Sequence, residues 1–349
     1  MIYYVYPSLS SFVKNDLDGF NEKYTVFHTD LPWGNKMKLV GNFIKQFFHL
    51  IRFLSKSKAY VVTFAGYHSF LPVLFAKIFR KKVFIILNGT DSVGIKELNY
   101  GSHLKTMQRL FCKFSLKHAT ELWPVSESLI NGSNEFLNQR IIYGVQISFP
   151  KIKTPYHVIP NGFQIEKWNF KQDRSNDKTC VAVVSSKAQF NLKGIDLILE
   201  FAAKNPEFTC FIVGMEKPSD LDVSVNVVFK GKLTHESLAT IYQSNTYYFQ
   251  LSAFEGFGCS LCEAMLCGCI PIGSNVNMIP VIINNTGGVL MHKNSDELLT
   301  IIQSLELLSL DQKMNLSVKA RNTIKENYPL KKRMDLIENR LKVYNSPQI

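Results

Sequence analysis

Short apolar runs alternate with stretches of helical spacing along the whole chain, and this alternation is the tightest constraint on its fold. In the first half, strands are predicted at Ile2–Tyr6, Tyr24–His28, Ala59–Phe64, Val83–Leu87 and Glu121–Val125. In the second half they are predicted at Val181–Ser185, Phe208–Val213, Asn226–Phe229, Tyr247–Leu251 and Ile270–Ile272. Helical patterns lie between them, including Leu192–Ala203, His235–Ser244 and Ser295–Leu308. Alternation of this kind builds parallel sheets covered by helices on both faces. The 349 residues suffice for one large or two ordinary α/β domains with real cores. Two doubly wound sheets joined near Pro160-Asn161-Gly162 would leave a cleft where their strand carboxyl ends face each other.

One segment carries most of the chemistry. The apolar run Tyr247-Tyr-Phe-Gln-Leu251 turns through Glu255-Gly256-Phe257-Gly258 into residues with helical spacing. A strand, a glycine loop and a helix together present backbone N–H groups to an anion at the helix N-terminus. Glu255 lies in the loop and Glu263 about a turn into the helix. A carboxylate beside a phosphate repels it, so these two are expected to accept hydrogen bonds from hydroxyls. A nucleoside diphosphate carrying a sugar supplies both kinds of partner. Upstream, Lys187 follows the apolar run Cys180–Ser185, and Lys193-Gly194 opens the next helix. Read alone, these are two surface lysines on a loop. Beside a helix N-terminus they can also clamp a pyrophosphate.

Glu255 and Glu263 are separated by seven residues and followed by Ala264-Met265 and Cys267-Gly-Cys-Ile-Pro271. Upstream stand Val158-Ile-Pro-Asn-Gly162, Lys187, Lys193-Gly194, and Val228-Phe-Lys-Gly231 before Leu238-Ala-Thr-Ile-Tyr242. In this order and spacing the set resembles glycosyltransferase family 4, tightly over residues 155–290 and loosely before them. The resemblance implies the GT-B fold, an α/β architecture of two Rossmann-like doubly wound domains facing a cleft. Residues 1–163 would bind the acceptor and 164–328 the nucleotide sugar, with a helix in 329–349 crossing back to the first domain. It implies a retaining, metal-independent transfer from a nucleotide diphosphate sugar to a glycan or lipid-linked acceptor, in the synthesis of lipopolysaccharide, capsule or another cell-surface polysaccharide. Glu263 would then hold the ribose hydroxyls and Glu255 would face the transferred sugar. The Gly256, Phe257 and Gly258 backbone would touch sugar hydroxyls or the distal phosphate, and Lys187 and Lys193 would clamp the pyrophosphate. Lys187 stands where the family usually has arginine, keeping the charge but losing the bidentate fork. Base selection would rest on backbone around Gly231 and Leu233.

The first half departs from the family in two places. Pro7-Ser-Leu-Ser-Ser-Phe12 has no glycine where the family commonly has a pair. Asn88, in Val83-Phe-Ile-Ile-Leu-Asn88-Gly-Thr-Asp91, stands where the family commonly has a histidine. Asparagine can donate and accept hydrogen bonds but cannot take a proton. Asn88 would then orient a sugar hydroxyl while the leaving phosphate oxygen takes the acceptor's proton. Asp91 and His68 are further candidates, each also readable as a cap at a strand end. The same departures motivate an alternative, a non-catalytic nucleotide-sugar-binding partner subunit. Asp16-Leu-Asp18 and Asp220-Leu-Asp222 match the Asp-x-Asp of metal-dependent transferases. Both lie in polar, turn-like sequence and are read as decoys. Four of the seven cysteines, Cys259, Cys262, Cys267 and Cys269, cluster beside Glu263 without a histidine at ligand spacing, so they are read as small core hydrophobes. No metal and no resident cofactor are expected.

Net charge is +12 and its distribution is uneven. Residues 1–165 hold 20 Lys+Arg against 9 Asp+Glu, whereas residues 166–349 hold 20 against 19. The first half therefore suits an anionic partner such as a membrane surface or a lipid-linked acceptor. No nucleic-acid-binding motif accompanies the charge, and no nucleic acid is expected. Within 36–56, Val40, Phe43, Ile44, Phe47, Ile51 and Leu54 recur at helical spacing, with Lys36, Lys38, Lys45, Arg52 and Lys56 among them. Such a helix suits packing on the first sheet, and its basic, Phe-rich character also suits an interfacial membrane contact. Arg80-Lys-Lys82 would extend the basic surface. No apolar run approaches the roughly 18 residues of a membrane span, and the amino terminus enters strand-like sequence directly. A cytoplasmic protein, peripheral at the inner membrane face, is the expectation.

Overall fold

The computed structural model describes residues 1–171 and 178–345. The chain forms two compact units. The first comprises Met1–Ser133, Ile142–Phe163 and the chain from Leu330; the second comprises Asn134–Ile141 and Gln164–Pro329.

In the first unit, strands β1 (Ile2–Val5), β2 (Val26–His28), β3 (Ala59–Thr63), β4 (Lys82–Leu87) and β5 (Glu121–Pro124) form one sheet. Its order is β2-β1-β3-β4-β5, and every neighbouring pair is parallel. Helices α1 (Ser11–Lys23), α2 (Leu39–Phe53), α3 (Tyr67–Ile78) and α4 (Thr106–His118) make the crossovers. β1 and β3 are buried along their whole length, which is why they read as near-continuous apolar runs rather than alternating ones; β5 is buried too, and its opening Glu121 is paired with Arg340. β2 starts two residues later than the sequence predicts, because the Tyr24 N–H donates to the Phe20 carbonyl and closes α1.

Asp16 and Asp18 lie within α1, not in a turn. Asp16 falls on the same face as Val13, Leu17 and Phe20 and is buried with them. It is matched by Arg333 of the C-terminal helix Leu330–Asn345, whose Nε and Nη2 donate to its two oxygens at 2.6 and 2.8 Å. Arg333 Nη1 also donates to the Ile159 and Pro160 carbonyls at 2.8 and 2.7 Å. Pro160-Asn161-Gly162 therefore packs against this helix. Asn161 is buried, and a Cβ on Gly162 would sit 2.8 Å from Leu330 Cα. Glycine is required there by close approach rather than by a left-handed backbone.

In the second unit, β6 (Thr179–Val183), β7 (Thr209–Val213), β8 (Val227–Phe229), β9 (Tyr247–Gln250), β10 (Ile270–Ser274) and β11 (Gly288–Leu290) form a parallel sheet of order β8-β7-β6-β9-β10-β11. Numbered within the unit this is 3-2-1-4-5-6, the order of dinucleotide-binding Rossmann folds. β11 is not predicted from the sequence, because Gly287-Gly288-Val-Leu290 reads as a glycine turn with only two apolar side chains. The helices of eight residues or more are α5 (Ile195–Lys204), α6 (His235–Ser244), α7 (Cys259–Leu266), α8 (Ser295–Glu306) and α9 (Leu310–Asn327). Side-chain caps set three of their starts, with Thr234 accepting from the Ser237 N–H, Asn294 from the Asp296 and Glu297 N–H groups, and Ser309 from the Gln312 N–H. Cys262, Cys267 and Cys269 are wholly buried in the core, and the Cys269 thiol donates to the Tyr242 carbonyl at 3.0 Å.

Candidate active site

In the second sheet β6 and β9 are neighbours, but the chain leaves them in opposite directions, to β7 on one side and to β10 on the other. Helices on opposite faces then open a crevice at the strand carboxyl ends, the place where open α/β sheets bind ligands. The loops leaving β6 and β9 carry Lys187, Lys193, Glu255 and the glycine turn. They are locked together at two points. The Ala253 N–H donates to the Leu192 carbonyl at 2.8 Å. Gly194, left-handed at φ 68°, lies so close that a Cβ would be 2.1 Å from the Leu251 carbonyl oxygen.

This lock brings Lys193 to Glu255, with Nζ and Oε2 2.5 Å apart and both side chains largely shielded from water. Gln250, the last residue of β9, donates to the same Oε2 at 3.1 Å and to Ser252 Oγ at 2.7 Å, while accepting from the Tyr248 hydroxyl at 3.1 Å. Asn277 donates to the Glu255 carbonyl, and Asn134 donates to the Ala253 carbonyl at 3.2 Å. The loop is thus held from several sides before any ligand arrives. The sequence reading missed Gln250, Asn277 and Asn134. The available signal was a single polar residue closing an otherwise apolar strand.

Gly258 precedes α7 at φ 110° and turns the chain into the helix. Glu263, on α7, is buried, at 6% exposure. Burial pushes the Tyr242 and Tyr248 hydroxyls well above their ordinary range, and the negative charge of Glu263 adds to both shifts. Phe257 turns its ring into the core against Tyr328, edge-on at 5.3 Å, so what it offers the loop is backbone. Lys187 is brought elsewhere. It is half exposed and paired with Asp220, one carboxylate of the second Asp-x-Asp sequence. Gly231, at φ 59°, accepts from the Gly214 N–H at 2.7 Å, tying the ends of β7 and β8, and Leu233 follows half-buried.

The first unit has its own switch point, between β1 and β3. A pocket of about 300 Å³ opens there, lined among others by Ser8, Trp33, Phe64, Tyr67 and Asp91. Phe64 holds a left-handed backbone, φ 65°, uncommon for so bulky a residue and typical of strained functional loops. Asp91 is fully buried and pins the pocket floor, accepting from the backbone N–H groups of Ala65, Asn88 and Gly89 at 2.9, 3.2 and 3.1 Å. Burial raises its pKa to about 6 against the lowering effect of those donors. His68 is buried too, with Nε2 2.8 Å from the Thr63 carbonyl, and burial lowers its pKa to about 4. Both side chains thus hold backbone in place. Asn88 is half-buried at the end of β4, and its Oδ1 has no hydrogen-bond partner among the described residues.

Residues 165–327 match the model of the family Glycosyl transferases group 1. N-acetyl-α-D-glucosaminyl L-malate synthase of Bacillus anthracis is 26% identical over 71% of this chain, and the chain spans 64% of that relative's length. Sucrose-phosphate synthase of Thermosynechococcus elongatus superposes with a TM-score of 0.71 at 14% identity, over 98% of each chain. Anabaena HepE, solved in complex with UDP and glucose, gives 0.71 at 13% identity, over 98% of this chain and 100% of that one. At such identities the likeness to solved structures shows the fold, two Rossmann-like α/β units of the GT-B class. Among the described residues no helix is long and apolar enough to cross a membrane.

Proposed function

We propose that the chain is a retaining, metal-independent hexosyltransferase of family 4, moving a sugar from a nucleotide diphosphate sugar to a hydroxyl of a glycan or lipid-linked acceptor in cell-surface polysaccharide synthesis. The observation that carries this reading is the Lys193–Glu255 pair, held at the switch point of a 3-2-1-4-5-6 sheet beside the start of α7. The match of residues 165–327 to group 1 glycosyltransferases supports it.

On donor binding Lys193 exchanges part of its contact with Glu255 for the diphosphate, and Lys187 turns from its exposed partner Asp220 to the same group. The N-terminus of α7 adds its dipole. Glu255, still held by Gln250, faces the sugar, and Glu263 takes the ribose hydroxyls. Gly231 and Leu233 line the base. As the bond from the anomeric carbon to the phosphate oxygen lengthens, negative charge grows on that oxygen and is stabilised by the ammonium groups. The acceptor hydroxyl attacks on the same face and passes its proton to the departing phosphate oxygen, while Asn88 orients a sugar hydroxyl. The configuration is retained, and no side chain need act as base. The seven free thiols support a reducing, cytoplasmic setting.

The test is incubation of the purified chain, in EDTA, with nucleotide diphosphate sugars and a mixed acceptor pool. Nucleoside diphosphate should appear only with acceptor, and proton NMR should show the donor's anomeric configuration in the product. Donor binding without turnover under every acceptor condition would replace this reading with the partner-subunit one, which Asn88 already motivates.

A further inference from the structure

Helix α2 is amphipathic in the inverted sense. The residues it turns inward include Asn42 and Gln46, 4% and 0% exposed, with Gln46 Nε2 donating to the His68 carbonyl at 2.8 Å. The residues it turns outward are Val40, Ile44, Phe48 and Ile51, which are 71%, 53%, 63% and 50% exposed, with Met37 at 91% just before the helix. These five positions recur at spacings of three and four and so form one stripe. A second exposed apolar pair lies nearby. Phe47 meets the buried Phe75 with ring centroids 5.5 Å apart, and Phe75 meets Phe79 at the same distance, which sets the exposed Ile78 and Phe79 at the end of α3 one buried ring away from the stripe. Scattered surface hydrophobes are ordinary, but a contiguous bulky patch marks an interaction surface.

The charge around the patch selects what covers it. Residues 31–90 contain ten Lys+Arg and no Asp or Glu. Lys45 and Arg52 are exposed and flank the stripe on α2, while Lys77 and Arg80 are exposed around Ile78 and Phe79. A second copy of the chain docked face to face would set this cationic rim against itself. A bilayer with anionic headgroups satisfies both features at once, taking the apolar side chains into its interface and pairing the rim with lipid phosphates. We propose that α2 and the end of α3 form the surface by which this chain docks on an anionic lipid bilayer. The inference does not depend on the sugar-transfer reading.

The experiment is flotation of the full chain with mixed phosphatidylcholine–phosphatidylglycerol vesicles and with pure phosphatidylcholine vesicles, without donor or acceptor. The mixed vesicles should carry the protein, and added salt should weaken the association. Ile44→Ser with Phe48→Ser should lower the partition coefficient at least about tenfold. Lys45→Gln and Arg52→Gln should each lower it about fivefold. These side chains are exposed, so far-ultraviolet circular dichroism should be unchanged in all variants. Failure of the wild type to float with mixed vesicles, or equal flotation of the apolar variant, would overturn the proposal. A wild-type dimer in sedimentation equilibrium that Ile44→Ser with Phe48→Ser splits would assign the face to a second copy instead.

Discussion

Gly194 is the point where the loops carrying Lys193 and Glu255 touch, and its replacement by alanine should loosen both. At φ 68° any L side chain costs about 1–2 kcal/mol relative to glycine. The new Cβ would also lie 2.1 Å from the Leu251 carbonyl oxygen and 2.7 Å from Leu251 Cβ, where ordinary contact begins at 3.4 Å. One loop must therefore retreat by more than an ångström, an overpacking cost of about 1–3 kcal/mol. The retreat strains the hydrogen bond from Ala253 to Leu192, worth about 1 kcal/mol. Together these give about 3–6 kcal/mol, a fall in the melting temperature of the second unit on the order of 10 °C. Calorimetry of Gly194→Ala and Gly194→Asn separates the terms. Asparagine tolerates the left-handed region but brings the same Cβ, so it should recover less than about 1 kcal/mol. Recovery to wild-type stability by asparagine, or a wild-type melting temperature for alanine, would refute the close-approach reasoning.

Three other outcomes are expected. Lys193→Met should lower kcat by about 100-fold, by removing charge from the departing diphosphate. Lys187→Ala, at an exposed pair, should leave the melting temperature unchanged and affect turnover less, which steady-state kinetics on the two variants will compare. Asp16→Asn should cost about 3–5 kcal/mol in denaturant unfolding because it strands the buried Arg333 charge, and Asp16→Leu with Arg333→Met should recover most of it. Finally, stability should fall between about pH 6.5 and pH 4. His68 and His103, both lowered by burial to about 4 in the folded chain, take up protons from 6.5 downward only when unfolded. Asp91, raised to about 6, acts in the opposite sense, since its folded form is protonated first; it offsets one of the two histidines. Thermal melts across this range should show the slope, and His68→Gln should flatten it.

Much of the architecture was legible because parallel strands buried on both faces leave continuous apolar runs between helical patterns. The bounds of α6 coincide with prediction since Thr234 caps its start, a local signal. What the sequence hid depends on distant partners. Asp16 reads as turn-like polarity because the arginine that matches it lies 317 residues away. Lys193 and Glu255 each stand beside glycines that mark a loop at a helix start, but nothing local pairs two residues 62 apart, and Gln250 and Asn277 escaped because nothing local announces which polar side chain will face a loop. The period of α2 was plain, but a period does not say which face meets the core. Only the fold revealed that polar Gln46 turns inward while Ile44 and Phe48 turn out.

The most direct test of the proposed donor site is thermal stabilisation by UDP, GDP, ADP and CMP, each with EDTA, on the wild type and on Glu263→Ala. One nucleoside diphosphate, at about a hundred times its dissociation constant, should stabilise the wild type by about 2.7 kcal/mol and leave Glu263→Ala essentially unmoved. No shift with any nucleotide, or an equal shift in Glu263→Ala, would contradict the placement of a nucleotide sugar at the β6–β9 switch point.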